Sequence, residues 1–158
     1  MVHTIDEAIA FVALERSRAR TIVFTNGVFD ILHPGHTRYL AGAKGRGDVL
    51  IVGINSDRSA RALGKAPDRP IYTEQERAEI LDALASVDAV VVFDEDTPHA
   101  IISALQPDVL VKGADYALDQ VVGADIVLAR GGRVELAALV EGQSTTRIAA
   151  RLDVRPEG

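Results

Sequence analysis

Apolar residues along the chain gather in short continuous runs, at residues 21–25 (TIVFT), 48–55 (DVLIVGIN), 89–93, 109–112 and 133–139, each followed by polar positions. Runs of Val, Ile and Leu without strict alternation predict strands buried on both faces. Helix signals lie between them. Pro34 opens a helix over residues 34–46 that Gly45 and Gly47 end. Thr73-x-x-Glu76 is a capping box that starts a helix running to about residue 85. Stretches 97–105, 118–130 and 144–152 read as further helices. Near the N-terminus, Thr4 or Asp6 caps a helix over about residues 5–18, with Ile5, Ile9 and Val12 as its apolar stripe. Residues 58–70 are polar, basic and contain two prolines, which predicts a loop. Strands alternating with helices predict one α/β domain over residues 1–158, with its core over about 21–152. The fold class is a Rossmann-like doubly wound parallel sheet of about five strands with right-handed crossovers. Ligands of such a sheet gather at the C-terminal ends of its strands.

Composition narrows the chemistry. With 17 basic and 23 acidic residues the net charge is −6, so no nucleic-acid partner is expected. An anionic small substrate then requires locally concentrated positive charge. No cysteine is present, which excludes disulfides, thiolate metal sites and a cysteine nucleophile. No apolar run approaches the ~20 residues that span a bilayer, so no membrane partner is expected. The N-terminal segment has acids early and arginines late, the charge order of a helix and not of a signal peptide. A cytoplasmic enzyme is the expectation.

Four polar clusters directly follow predicted strands, at residues 26–36, 55–57, 112–116 and 141–146, and so would share one edge of the sheet. The first, TNGVFDILHPGH, sets His33 and His36 three residues apart where a strand passes into a helix N-terminus. Unpaired N–H groups and the helix dipole favour an anion there. Thr25, Asn26 and Gly27 open a tight turn in which Gly27 would admit a phosphate close to the backbone, and Gly35 leaves room beside the second imidazole. Lys44, eight residues after His36, returns to the same helix face. Lys112 closes a buried apolar run and so either snorkels or meets an anion, with Gly113 permitting close approach and Asp115 and Tyr116 placed to touch sugar or base. Arg77, early in its helix, is mildly disfavoured by the dipole, which fits a ligand role. Asn55 and Asp57 would help form the site floor. Ser144 caps the last helix, and with Thr145 and Thr146 offers hydroxyls at a helix start. The basic loop 58–69 is placed to close over a bound triphosphate.

TNGVFDILHPGH resembles the HxGH signature of the cytidylyltransferase-like nucleotidyltransferases. With the NSD at 55–57, VKGADY at 111–116 and EGQSTTRI at 141–148, the chain most resembles the adenylyltransferase domain that makes ADP-heptose from heptose 1-phosphate. One departure is Ala114, where that family commonly has a second glycine. The resemblance implies an enzyme that transfers AMP from ATP to a sugar phosphate, releasing pyrophosphate. It implies ATP with Mg2+ and a homodimer; no dense carboxylate cluster with metal spacing appears, so no protein metal ligand is assigned, and water and phosphates are expected to supply most of the magnesium ligands. It implies catalytic roles for His33, His36 and Lys44. Thr25, Asn26, Gly27, Phe29, Gly35, Lys112, Gly113, Ser144, Thr145 and Thr146 would hold the nucleotide. Asp30, Asn55, Asp57, Arg77, Asp115 and Tyr116 would face the acceptor. A glycerol 3-phosphate cytidylyltransferase, which shares HxGH and STT, is the alternative from the same chemistry. A non-catalytic nucleotide-binding module is the alternative from another class.

Overall fold

A computed structural model describes residues 1–64 and 66–137. Among these residues six parallel strands form one sheet: β1 (Val2–His3), β2 (Ile22–Gly27), β3 (Val49–Asn55), β4 (Ala89–Phe93), β5 (Val109–Gly113) and β6 (Arg133–Ala137), in the order β1-β4-β3-β2-β5-β6. The helices are α1 (Ile5–Ser17), α2 (Pro34–Lys44), α3 (Asp57–Ala62), α4 (Glu74–Asp82), α5 (His99–Leu105) and α6 (Ala124–Ala129). Strand order reverses between β2 and β5, which makes their C-terminal ends the topological switch point.

Alternate residues of each buried strand feed two cores. Ile22, Phe24, Ile51, Val91 and Leu110 pack with Ala8 and Val12 of α1, Ile102 and Leu105 of α5 and Val127 of α6. Val23, Leu50, Val52, Val90 and Val111 pack with Leu40 and Ala43 of α2 and Ala78 and Leu81 of α4. Helices on both faces explain why these strands carry apolar side chains at consecutive positions. Gly53 sits opposite Asn26 in the β2–β3 ladder; a Cβ there would stand 2.7 Å from Cζ of Phe24. At the opposite edge, the residues that precede three strands tie the sheet together. Asp48 accepts from the Thr21 N–H (2.8 Å), Asp88 from Leu50 N–H (2.7 Å) and Asp108 from Ile22 N–H (2.8 Å).

Four local expectations change. A sixth strand, β1, joins the edge through Val2–Val90 and His3–Val91 pairing. Residues 57–62 are helix, because the Ser56 hydroxyl accepts from Ser59 N–H and caps α3. On α1 the buried positions are Ala8, Val12 and Glu15, whereas Ile5 and Ile9 are exposed. Residues 118–130 hold a short 3-10 turn and then α6, separated by Gly123 at φ +86°. The stretches expected at 138–139 and 144–152 lie outside the described residues.

Candidate active site

The clusters after β2, β3 and β5 meet at the switch-point edge, as the strand order requires. The cluster at 141–146, with Ser144, Thr145 and Thr146, lies outside the described residues.

His33 is the N-cap of α2 and Pro34 its first residue. The His33 Nδ1 accepts from Gly35 N–H at 3.1 Å, so in the neutral ring Nε2 carries the proton and is the outward donor. Gly35 therefore serves as the donor that sets this tautomer. Burial lowers the His33 pKa and so favours the neutral ring. The His33 and His36 rings stack with centroids 3.9 Å apart, and the Phe29 ring meets His36 edge-on at 5.4 Å. Phe29 holds a left-handed φ of +51°. Its ring also explains Gly27, where a Cβ would stand 3.0 Å from Phe29 Cε2. Gly27 thus makes room for an aromatic ring that buttresses His36. The first turn of α2 carries no acidic side chain to offset its positive end.

Lys112, at the end of β5, is nearly buried, and its Nζ lies 5.1 Å from the centroid of the exposed Tyr116 ring. Gly113 ends the strand, and Asp115 beyond it is exposed. Asn26 is half-buried, with its Oδ1 buried and not hydrogen-bonded at the end of β2.

Several residues expected to face ligands instead hold the site together. The Arg77 side chain is fully buried. It donates to Tyr72 O (3.2 Å), Val28 O (2.8 Å) and the Asp57 carboxylate (2.9 Å), so its fork is directed into the protein. Asp57 is correspondingly an ion-pair partner, and its N–H donates to Glu74. The Asp30 carboxylate accepts from the N–H groups of Ile71 and Tyr72 and pairs with Arg69 at 3.5 Å. Asn55 is buried and donates to the Ser59 hydroxyl. Thr25 is fully buried, with its hydroxyl against Val111 O and Tyr39.

Lys44, expected beside His36, is the last residue of α2. It shares a face with His36, but eight residues at ~1.5 Å each carry it ~12 Å away. There its Nζ donates to Asp48 O (2.6 Å) and pairs with Asp88 (2.5 Å), at the strand-entry edge. Asp30 and Asp57 are matched by arginines, and Lys112 and the α2 N-terminus bring positive charge to the same edge. Tyr39 was not anticipated. Its signal was indirect: a threonine inside a buried strand needs a partner.

Residues 24–149 match the cytidylyltransferase-like family. The chain belongs to that family of nucleotidyltransferases. It is 58% identical over 139 residues to the bifunctional protein HldE of Syntrophotalea carbinolica, covering 88% of this chain and 28% of the relative. Over 151 residues it is 52% identical to the HldE of Geotalea uraniireducens, covering 96% and 31%. The chain thus spans less than a third of the length of these curated relatives. Among solved structures, a lipopolysaccharide core biosynthesis protein from Thermoplasma volcanium superposes with a TM-score of 0.64 at 30% identity, covering 78% of this chain and 99% of that one. Pantothenate synthetase from Thermus thermophilus shares the fold at 17% identity, with a TM-score of 0.57 over 87% of this chain and 60% of that one.

Proposed function

We propose that the chain transfers AMP from ATP to a heptose 1-phosphate, giving ADP-heptose and pyrophosphate. The stacked His33–His36 pair at a helix N-terminus with no acidic side chain in its first turn, on the same sheet edge as Lys112, carries this reading. An oxygen of the sugar phosphate attacks the α-phosphorus, the bond to the β-phosphate oxygen breaks, and pyrophosphate leaves with that electron pair. No covalent enzyme intermediate is needed, so catalysis rests on positioning two anions and stabilising developing charge. Nε2–H of His33 and the His36 ring act as donors to phosphate oxygens, and Lys112 offsets charge on the nucleotide.

Among the described residues, no group of three His, Asp or Glu side chains could hold a metal ion. Magnesium would arrive with the nucleotide as MgATP, with phosphate and water oxygens as most of its ligands. The heptose acceptor is supported by the HldE relatives and by the solved structure's assignment to lipopolysaccharide core biosynthesis. Among the described residues no helix is long and apolar enough to cross a membrane. The homodimer expected of this class is testable by light scattering.

The test pairs ATP or CTP with heptose 1-phosphate or glycerol 3-phosphate and reads pyrophosphate release and product mass. ADP-heptose as the preferred product supports the proposal. A CDP-glycerol product would move the chain to the glycerol 3-phosphate branch. Nucleotide binding without pyrophosphate from any acceptor would make it a binding module.

A further inference from the structure

The β2–β5 ladder is short. It ends at Phe24–Leu110, whereas β2–β3 pairing continues to Gly27–Ile54 and β5–β6 pairing to Gly113–Ala137. The switch-point crevice therefore opens one residue before Lys112. Two hydroxyls span this opening. Thr25 Oγ1 lies 2.9 Å from Val111 O and 2.8 Å from the Tyr39 hydroxyl, which is itself 3.2 Å from Val111 O. Two hydroxyl protons cannot serve three contacts. The distances favour a relay in which Tyr39 O–H donates to Thr25 Oγ1 and Thr25 donates to Val111 O.

Tyr39 stands on α2, three residues after His36, and Val111 directly precedes Lys112. We infer that Tyr39 is a positioning residue that fixes Lys112 relative to His36 across the crevice, through Thr25 and the Val111 carbonyl. Phenylalanine would fill the same volume, so the hydroxyl needs a reason beyond packing. Burial holds the phenol pKa up at about 12, so the group stays a donor throughout the working pH range. A bridge at this point sets the width of the nucleotide crevice without touching the ligand.

The inference rests on the nucleotidyl-transfer reading for its functional consequence, so its test has one arm that needs no ligand. Tyr39→Phe, Lys112→Ala and the double variant are compared by calorimetric titration with MgATP and with MgCTP. If Tyr39 acts through Lys112, Tyr39→Phe weakens binding about fivefold in the natural background and less than twofold in the Lys112→Ala background. An equal factor in both backgrounds would mean general loosening and overturn the inference. The second arm uses 13Cε-lysine NMR without ligand. The chain has only three lysines, Lys44, Lys65 and Lys112, so the Lys112 signal is assignable by its loss in Lys112→Ala. Tyr39→Phe should move the Lys112 resonance and leave that of Lys44 in place. An unmoved Lys112 resonance overturns the inference even if neither nucleotide binds, whereas absent binding with a moved resonance rejects only the nucleotide-site reading.

Discussion

Replacing Arg77 by alanine strands three acceptors at once. The Asp57 carboxylate loses its ion pair, and the carbonyls of Val28 and Tyr72 lose their donors. Removing one partner of a buried pair costs about 3–5 kcal/mol. Asp57 retains 23% exposure and can recover some hydration, so the lower end applies to that pair. Two part-buried carbonyls add about 0.5 kcal/mol each. The total, about 4 kcal/mol, corresponds to a fall in Tm of roughly 12 °C at about 3 °C per kcal/mol for a chain of this size. Arg77→Lys keeps the charge but cannot reach all three acceptors, and should lose about half as much. Thermal and urea denaturation measure both variants, alongside calorimetric titration with MgATP and with sugar phosphate. A Tm within about 3 °C of the natural protein, combined with tenfold weaker ligand binding, would refute the structural assignment and restore Arg77 as a ligand residue.

Other perturbations separate the parts of the site. His36→Ala should lower kcat by about 100-fold or more, since a donor to developing phosphate charge is lost; a loss under threefold would sink its catalytic role. Lys44→Ala should leave kcat and the KM for ATP within about twofold and cost less than about 1 kcal/mol, because its half-exposed pair with Asp88 lies at the strand-entry edge. A large kinetic effect would contradict that placement. The His33 pKa is lowered by burial, so the unfolded chain binds its proton more readily than the folded one. The stability this neutral ring contributes is present above the ordinary imidazole value of about 6.5 and is lost as pH falls from there through the folded value. An NMR titration should place the free-protein His33 pKa below about 6.5 and show it rising when nucleotide adds negative charge beside the ring. A free-protein value at or above 6.5 would contradict the burial argument.

The sheet was legible because each buried strand is a run of Val, Ile and Leu between turn signals, and helix starts such as Pro34 and Thr73 carry local chemistry. Strand β1 was not, because two residues at a sheet edge give no pattern. Helix α3 was hidden by its polarity; its start depends on the Ser56 cap, which reads equally well as a turn. HxGH was legible because strand, turn and helix signals converge on it. Lys44 misled because helical period reports direction and not distance. Arg77, Asp30 and Asp57 misled differently. Charged residues at a ligand-binding edge look alike in sequence whether they face the ligand or one another, and only the fold brings Arg77 to Val28 O or Asp30 to the Ile71 and Tyr72 amides. Tyr39 was missed because its partner carbonyl is 72 residues away.

The central claim is transfer of AMP to a sugar phosphate oxygen at the His33–His36 edge. Heptose 1-phosphate carrying 18O in its non-bridging phosphate oxygens, turned over once with unlabelled MgATP, tests it most directly by mass spectrometry. All the label should remain in ADP-heptose, with unlabelled pyrophosphate, in the natural protein, and His36→Ala should slow product formation without redistributing label. Label in pyrophosphate, or no ADP-heptose at all, would contradict the account.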